Sequence, residues 1–302
     1  MPQLTRKGVR IDDSFAEAFP MAGTGLVITA PNRRWAMTAA QVMTGYATSV
    51  IGCDCEAGVD CELSPKETPD GRPGVRVLAF GFSPKAVEKA LVNRVGQCLL
   101  TCPGTAVFSA MEGDLKIKVG DSMRQFGDRW QISKALDGKR YWRVPVMDGE
   151  FLVEGQVGLV KKCVGGGNLL VMGEDWESTM RATEAAVAAI DEVADAITPF
   201  PGGIVRSGSK VGSRYKFLVA STNHAFCPTL KGVVESALDP EVAAVLEIVI
   251  DGLDEKAVAD AMAAGIRAVC ASGPESGVTR ISAGNYGGKL GPFHFHLAEL
   301  LS

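Results

Sequence analysis

The 302-residue sequence lacks basic runs, and no apolar stretch in it approaches the roughly 20 residues that a membrane-spanning helix needs. Its 31 basic and 35 acidic side chains give a net charge of -4, which argues against nucleic acid as the main partner. The first residues, MPQLTRKGVRIDDSF, contain no apolar signal core. These absences predict a cytoplasmic protein that binds neither nucleic acid nor membrane.

The short motifs of several common enzyme classes are also missing. GTGLVI has only two of the glycines of a dinucleotide fingerprint, and GSKVG is not a Walker loop. Neither G-x-S-x-G nor a Cys/His signature of covalent catalysis occurs. Nucleotide binding and an enzyme nucleophile therefore have little support.

Eight cysteines are present, and five of them invite comparison with a metal site: Cys53, Cys55, Cys61, Cys98 and Cys102. The C-x-C-x5-C spacing fits no strong zinc pattern, and one-residue gaps place side chains on opposite faces of an extended chain. Free thiols are the default in a large cytosolic chain. Free thiols are expected, with a metal site as the alternative.

The periodicity predicts an α+β fold. A strand is expected at residues 9–11, a short helix capped by Asp13 or Ser14, and a buried strand at 26–30. A helix closed by Gly45 should lead to a strand at 48–52, and Ser83-Pro84 should start a helix to about Leu100. Short alternating runs between 114 and 173 predict antiparallel hairpins with turns at Asp137-Gly138, Asp148-Gly149 and 165–167, and Trp176–Ile197 reads as one helix.

An internal repeat divides the chain into two related halves. VLAFGFSPKAVEKAL at 77–91 matches IVIDGLDEKAVADAM at 248–262, 171 positions later. Each half reads strand, helix, strand, strand, helix, strand, which is the ferredoxin-like, split βαβ order. We therefore expect two ferredoxin-like lobes, residues 1–150 and 151–302, with additional hairpins.

Residues 199–230 combine glycines, hydroxyl side chains and cations at close intervals. A surface linker shares that composition, but Ile204, Val205, Tyr215 and Phe217 give the segment enough apolar content to pack down. Backbone amides, hydroxyls and ammonium groups together suit a long, polar, anionic ligand. We interpret the segment as a folded binding loop.

Glu247 lies in the apolar run AAVLEIVID, which predicts a buried strand. Burial would raise the pKa of its carboxyl group and favour the protonated acid, whereas pairing with an arginine is the structural alternative. His224 lies in the binding loop and is a contact candidate. His294 and His296 alternate with phenylalanines and should share one solvated face of a strand.

DSFAEAF, ETPDGRPGV, PFPGGIVRSGSKVGS, ASTNHAFCPT, EIVIDGL and SAGNYGGKLG together resemble formylmethanofuran:tetrahydromethanopterin formyltransferase, from residue 9 to about 297. The resemblance implies reversible formyl transfer between a methanofuran-type amine and N5 of tetrahydromethanopterin. The two act as substrates in one-carbon metabolism, in methanogenesis or in bacterial formaldehyde oxidation. It also implies no prosthetic group, a ferredoxin-like fold and a homotetramer, with other formyltransferase/hydrolase subunits in bacterial complexes.

That chemistry needs no enzyme nucleophile, because the acceptor nitrogen attacks the formyl carbon, but it needs oxyanion stabilisation and proton transfer. The catalytic candidates are Glu247 and, second, His224. Methanofurans carry carboxylates that loop cations are expected to bind. The substrate-binding candidates are Arg206, Ser207, Ser209, Lys210, Ser221, Thr222, Asn223, Asn285 and Lys289. The rival interpretations are a non-catalytic binding or scaffold subunit and a metalloenzyme that uses the cysteines.

Overall fold

The computed structural model describes residues 4–273 and 276–301. In chain order the elements are β1 Leu4–Arg6, β2 Val9–Ile11, β3 Phe15–Thr29, α1 Arg33–Thr44, β4 Glu56–Leu63, β5 Gly74–Gly81, α2 Pro84–Arg94, β6 Ala106–Ser109, β7 Leu115–Ile117, α3 Val119–Met123, β8 Ile132–Leu136, β9 Lys139–Val146, β10 Gly149–Glu154, β11 Val157–Gly173, α4 Trp176–Ile190, β12 Ala196–Ile197, β13 Lys210–Val211, β14 Ala220–Ser221, β15 Ala244–Gly252, α5 Glu255–Ala271, β16 Val278–Ser282 and β17 Phe293–His296. Mixed pairing of many strands with few helices makes this an α+β protein, as the sequence predicts.

The described chain forms two compact units. The first contains residues 4–19, 164–251, 255–273 and 276–301, and the second contains residues 20–163 and 252–254. The chain passes from one unit to the other within β3 and within β11, each of which is a single long strand. These units differ in extent from sequence halves divided near residue 150, because β1, β2 and the start of β3 belong with the C-terminal segments.

In the second unit the elements run β3, α1, β4, β5, α2, β6 along the chain. The strand order across the sheet is β4, β5, β3, β6, with β4 antiparallel to β5 and β3 antiparallel to both β5 and β6. A hairpin set continues the sheet, since β10 pairs parallel with β6, and β9 and β8 follow antiparallel. Helices α1 and α2 bury Ala36, Met43 and Leu91 in the core of this unit.

In the first unit the elements run β11, α4, β12, β15, α5, β16. Here β15 pairs with β11 and β12, and β16 is antiparallel to β11 and parallel to β2. The order β12, β15, β11, β16 repeats the order in the second unit. Leu169, Ile190, Ile248 and Ile266 lie in the core of this unit. The strand and helix of the sequence repeat correspond to β5 with α2 and to β15 with α5.

Capping explains where the helices begin. Asn32 Oδ1 accepts the Trp35 N–H at 3.1 Å before α1, and Asp175 Oδ1 accepts the Ser178 N–H at 2.7 Å before α4. Ser83 caps α2, with Pro84 at its first position. The predicted end of α1 at Gly45 is confirmed. The predicted helix to Leu100 is α2 followed by a π-helical turn, Val95–Leu99.

Four local predictions are wrong. No helix follows Asp13 or Ser14, because residues 15–29 form the strand β3 with partners on both sides. Residues 48–52 form turns, and 165–167 lie inside β11 and make no turn. Helix α4 ends at Ile190, since the chain must turn to bring Ala196–Ile197 beside β15. The hairpin turns at Asp137-Gly138 and Asp148-Gly149 are confirmed by the β8–β9 and β9–β10 pairs.

Candidate active site

Glu247 is central to the site because, in the described part of the chain, no charged partner holds its carboxyl group ionised. It lies in the middle of β15, half-buried between the buried Leu246 and Ile248. Burial raises the pKa of Glu247 to about 7. The predicted rise of this pKa is confirmed, and the group can hold or release a proton near neutral pH.

The predicted binding loop is attached to β15 at Glu247. The Val205 N–H donates to Glu247 O at 2.7 Å, and the Glu247 N–H donates to Val205 O at 2.9 Å. Two candidates, Arg206 and Ser207, follow Val205 directly and have exposed side chains. The start of the loop therefore lies beside the ionisable strand residue.

Beyond this anchor the loop folds into the small hairpin β13–β14. Lys210 pairs with Ser221 across it, and Ser221 Oγ donates to Gly212 O at 2.7 Å. Lys210 Nζ donates to the same carbonyl oxygen at 3.5 Å. Lys210 and Ser221 are half-buried, so the structure brings these two candidates together at the base of the hairpin.

Thr222, Asn223 and His224 form the turn that follows the hairpin. Thr222 Oγ1 lies 3.4 Å from Cys227 Sγ, and Asn223 O accepts the Phe226 N–H at 3.0 Å. The His224 N–H donates to Thr222 O at 2.9 Å, and His224 is the first residue of a 3-10 turn, His224–Phe226. Among the described residues, no hydrogen bond or ring contact joins His224 to Glu247.

The tip of the hairpin is more exposed than the sequence predicts. The apolar side chains that should pack down include Tyr215 and Phe217, which are 66% and 80% exposed. Their rings lie 5.8 Å apart and contact each other. Among the apolar side chains near the loop ends, Val205 is buried, and Ile204 and Phe226 are half-buried. That prediction is wrong because a two-residue β13–β14 pair is too short to return its tip to a core.

Sequence reasoning missed Glu17, which organises the glycine-rich loop 285–291. Glu17 lies in β3, is 1% exposed, and accepts four backbone N–H groups. Oε2 accepts from Tyr286 at 2.6 Å and from Gly288 at 2.9 Å, while Oε1 accepts from Leu290 at 2.5 Å and from Gly291 at 2.7 Å.

Burial alone would raise the pKa of Glu17, but these four hydrogen bonds lower it to about 2. The carboxylate is therefore ionised at neutral pH and fixes the loop backbone. Gly287 and Gly288 have φ angles of 76° and 68°, and a Cβ on Gly291 would lie 2.2 Å from Ala18 O. The signal was present in GNYGGKLG, whose closely spaced glycines leave several inward N–H groups that need an acceptor.

Asn285 and Lys289, the two candidates of this loop, have different roles. Asn285 Nδ2 donates to Ser14 Oγ and to Phe15 O, both at 3.3 Å, and its Oδ1 accepts the Gly287 N–H. Its amide thus shapes the loop. Lys289 is exposed on the same loop, where its ammonium group is available to a ligand.

Tyr286 lies in the same loop, and its backbone N–H is one of the four that Glu17 accepts. Its phenol is half-buried, and burial first, then the charges of Glu247 and Glu17, raise the pKa of Tyr286, whereas a hydrogen bond with Ser209 lowers it. The pKa of this phenol therefore depends on both Glu247 and Ser209.

The cysteines and histidines do not form a metal site in the described part of the chain. All eight cysteines are free, and among the described residues no three His, Cys, Asp or Glu side chains are arranged to hold a metal ion. His294 and His296 both pack on the Phe15 ring, at centroid distances of 4.9 and 5.1 Å, on strand β17 as predicted. Across residues 4–273 and 276–301, no helix has the length and apolarity that a bilayer crossing requires.

Comparison with known proteins gives the same family along both halves of the chain. The family model for formylmethanofuran-tetrahydromethanopterin formyltransferase matches residues 4–146, and the model for its proximal lobe matches residues 149–300. A relative from Methylobacillus flagellatus, named formylmethanofuran–tetrahydromethanopterin formyltransferase, is 56% identical over 299 residues. The alignment covers 98% of this chain and 99% of the relative.

Two solved structures are similar over nearly the whole chain. A chain of the Methylorubrum extorquens formyltransferase/hydrolase complex with methylofuran is 55% identical, with a TM-score of 0.97 and 99% of both chains covered. The Methanosarcina barkeri formylmethanofuran:tetrahydromethanopterin formyltransferase is 46% identical, with a TM-score of 0.93, covering 99% of this chain and 100% of that one. With two matching family models and identities far above 30%, this chain belongs to the formylmethanofuran–tetrahydromethanopterin formyltransferase family.

Proposed function

We propose that this chain transfers a formyl group reversibly between a methanofuran-type amine and N5 of tetrahydromethanopterin. The observation that carries the proposal is Glu247, a carboxyl group with a pKa of about 7 beside a loop rich in hydroxyl and ammonium groups. The names of the relatives support the same reaction. Membership of a one-carbon pathway, whether methanogenesis or formaldehyde oxidation, follows from the two substrates.

The reaction passes through a tetrahedral species formed by the two substrates alone. The lone pair of N5 forms a bond to the formyl carbon, and the carbonyl π electrons move to oxygen. Collapse of this species breaks the bond to the methanofuran nitrogen, which leaves with a proton, while N5 loses one. Glu247 in its acid form gives the leaving nitrogen its proton and then accepts the proton of N5. His224 is the second candidate for this transfer.

We assign binding of the acidic methanofuran tail to the cations on and near the loop. Lys210 is half-buried at the hairpin base, and Arg206 and Lys289 are exposed on the two segments that flank Glu247 and Tyr286. The backbone and hydroxyl donors of Ser207, Ser209, Ser221, Thr222 and Asn223, with Asn285, complete the proposed binding set. Charge-assisted hydrogen bonds to carboxylates are the strong contacts in such a site.

The proposed activity is tested by mixing the purified chain with formylmethanofuran and tetrahydromethanopterin and following formation of the formyl-pterin by absorbance. We expect catalysed transfer in both directions, unchanged after treatment with a chelator, because our mechanism uses no prosthetic group. Binding of both compounds without transfer would instead indicate the non-catalytic subunit. Loss on chelation with recovery on adding zinc would indicate a metalloenzyme.

We also propose how the chain is organised and assembled. The strand orders β4, β5, β3, β6 and β12, β15, β11, β16 support two ferredoxin-like lobes. Lobe limits of 1–150 and 151–302 are supported by family models that meet between residues 146 and 149.

A homo-oligomer, proposed as a tetramer, is supported by a largely apolar groove of about 1100 Å³ in the second unit, lined by Val92, Leu100, Met123 and Phe126 among others. The formyltransferase/hydrolase complex of the similar Methylorubrum chain supports further subunits as partners. Eight free cysteines support a reducing, cytoplasmic location.

A further inference from the structure

Arg280 joins β2 and β16 of the first unit to the segment that follows the binding loop. It lies in β16, and its side chain is only 15% exposed. Nε and Nη2 donate to the two carboxylate oxygens of Asp12, at 2.8 and 2.6 Å, and Nη1 donates to Ala237 O at 2.8 Å and to Asp239 Oδ2 at 3.4 Å. Asp239 also pairs with Arg10, which lies opposite Arg280 on β2. One guanidinium group therefore fixes this segment against the two strands.

The segment, residues 231–242, contacts the turn that carries three site candidates, residues 222–224. The Ala237 N–H donates to Ala225 O at 2.9 Å, and Ser236 Oγ donates to the same oxygen at 3.4 Å. Ala225 directly follows the three candidates in the chain. The residue whose carbonyl oxygen is held by the guanidinium group thus holds the turn through its own N–H.

Lys231 joins the two ends of the same segment. Its Nζ donates to Pro240 O at 2.8 Å and to Val242 O at 2.5 Å. The Val242 side chain is fully buried, so this end of the segment is fixed to a core. Since the start and the end of the segment are held together, the contact that places its middle is the one that Arg280 supplies.

We propose that Arg280 is a positioning residue for formyl transfer, which sets the place of the turn at residues 222–224 by holding segment 231–242. The assignment rests on the proposed function, which gives Thr222 and Asn223 to binding of the methanofuran-type substrate. Arg280 acts through the backbone of the segment. A turn that is fixed before the substrate arrives does not have to be ordered during binding, so the substrate binds more tightly.

The test compares Arg280→Lys with Arg94→Lys in the full chain. Arg94 is the matched control in the second unit, because its guanidinium group also joins a carboxylate, that of Asp54, to backbone oxygens, those of Met43 at 2.6 Å and Gly45 at 2.8 Å. Lysine keeps the charge at both positions but cannot make all of these hydrogen bonds, so both variants should lose thermal stability. Only Arg280→Lys should raise KM for formylmethanofuran, by about fivefold, with kcat within about twofold, at a temperature where both variants are folded.

Cys227 reports the order of the turn independently of catalysis. Its thiol donates to Asn223 O at 3.4 Å and lies 3.4 Å from Thr222 Oγ1, and its side chain is half-buried. A loosened turn exposes this thiol more often, so Arg280→Lys should raise the rate at which N-ethylmaleimide modifies Cys227 by about fivefold, as measured by mass spectrometry of its peptide. Cys61, which is exposed in the second unit, should react at an unchanged rate.

Asp239→Asn keeps the test decisive if Arg280→Lys does not fold, because it removes one partner of Arg280 and leaves Asp12 in place. It should raise both KM and the Cys227 rate by about twofold. Unchanged modification of Cys227 would overturn the connection between Arg280 and the turn. Faster modification with an unchanged KM, or an equal rise of KM in Arg94→Lys, would overturn the positioning role and leave the proposed function intact. Absence of transfer by the unaltered chain would instead overturn the proposed function.

Discussion

Arg76 and Glu247 occupy equivalent positions in the two repeated halves but have opposite electrostatic surroundings. Arg76 lies in β5 and pairs with Asp60 at 3.2 Å, where the Asp60 side chain is 1% exposed. Glu247 lies in β15, where burial raises its pKa to about 7 and no charged partner among residues 4–273 and 276–301 offsets that rise. One strand position thus holds a neutralised ion pair in one unit and a proton-exchanging group in the other.

The segments that precede the repeated strands differ in the same sense. In the second unit, the loop before β5 is fixed by Arg72, which donates to Asp70 at 2.8 Å, to Gly104 O at 2.5 Å and to Thr29 Oγ1 at 2.9 Å. In the first unit, the loop before β15 leaves Arg206 and Ser207 exposed beside Glu247. The same strand order therefore carries a tightly hydrogen-bonded loop in the second unit and exposed polar side chains beside Glu247 in the first unit.

Glu247→Gln is expected to produce the largest effect. Glutamine keeps the shape and hydrogen bonding of the side chain but cannot exchange a proton, so kcat should fall about 10²–10⁴-fold while both substrates still bind. Glu241→Gln changes an exposed glutamate in the same unit and should keep full activity. Steady-state kinetics with each substrate varied in turn measures both. Unfolding of the Glu247 variant would make this residue a structural carboxyl group.

Glu17→Ala should lower the stability of the first unit, because it removes the acceptor of the glycine-rich loop. Four backbone N–H groups lose their acceptor, and one unsatisfied buried group alone costs about 1–3 kcal/mol. Because the pKa of Glu17 is lowered to about 2, its stabilisation is complete above about pH 4.5 and is lost as the pH falls towards 2. Denaturant unfolding between these pH values should show this loss in the unaltered chain and less of it in the variant. Equal pH dependence in both would contradict the role of Glu17.

Arg76→Gln tests the other side of the comparison. Removing the guanidinium leaves Asp60 buried beside a neutral amide, which should lower the free energy of unfolding by about 1–3 kcal/mol. kcat should remain within about twofold once the protein is folded. Thermal unfolding and kinetics at 25 °C separate the two effects. A loss of activity without a loss of stability would mean that the halves are less different than Arg76 and Glu247 indicate.

Lys210→Ala should have the smallest effect. A half-buried ammonium group that binds one carboxylate contributes about 1 kcal/mol, so KM for formylmethanofuran should rise about fivefold and depend less on salt. Lys134→Ala, at an exposed position in β8, is the matched control and should change neither. If KM for the pterin rose instead, the hairpin base would belong to the other substrate.

Local patterns predicted the helices, the hairpin turns and the repeat because each depends on neighbouring residues. Helix starts are indicated by residues with side-chain acceptors, namely Asn32, Ser83 and Asp175. The apolar run around Glu247 likewise indicates a buried strand. The sequence predicts a short helix near Ser14 where the strand that contains Glu17 begins, because the pairing of that strand depends on β5 and β17, which are distant in the sequence. Long strands such as β11 also contain closely spaced glycines, which the sequence pattern predicts as turns.

The site was predictable in its parts and not in its assembly. Glu247 could be found from a carboxyl group in an apolar strand, and Ser209 from the composition of the loop. Tyr286 and Glu17 could not be connected, since they lie 269 positions apart and meet through a hydrogen bond from the Tyr286 N–H to the Glu17 carboxylate. The exposed aromatic tip at Tyr215 and Phe217 shows the converse, because apolar content predicts burial only when a core lies within reach.

The pH dependence of kcat tests the central claim most directly, since it reports the proton held by Glu247. The pKa of Glu247 is raised to about 7, so the acid form predominates below pH 7 and is lost as the pH rises through that value. For transfer from formylmethanofuran to the pterin, kcat of the unaltered chain should fall above about pH 7. The residual kcat of Glu247→Gln should show no such fall. The same fall in both proteins would contradict the account and assign the titrating proton to another group.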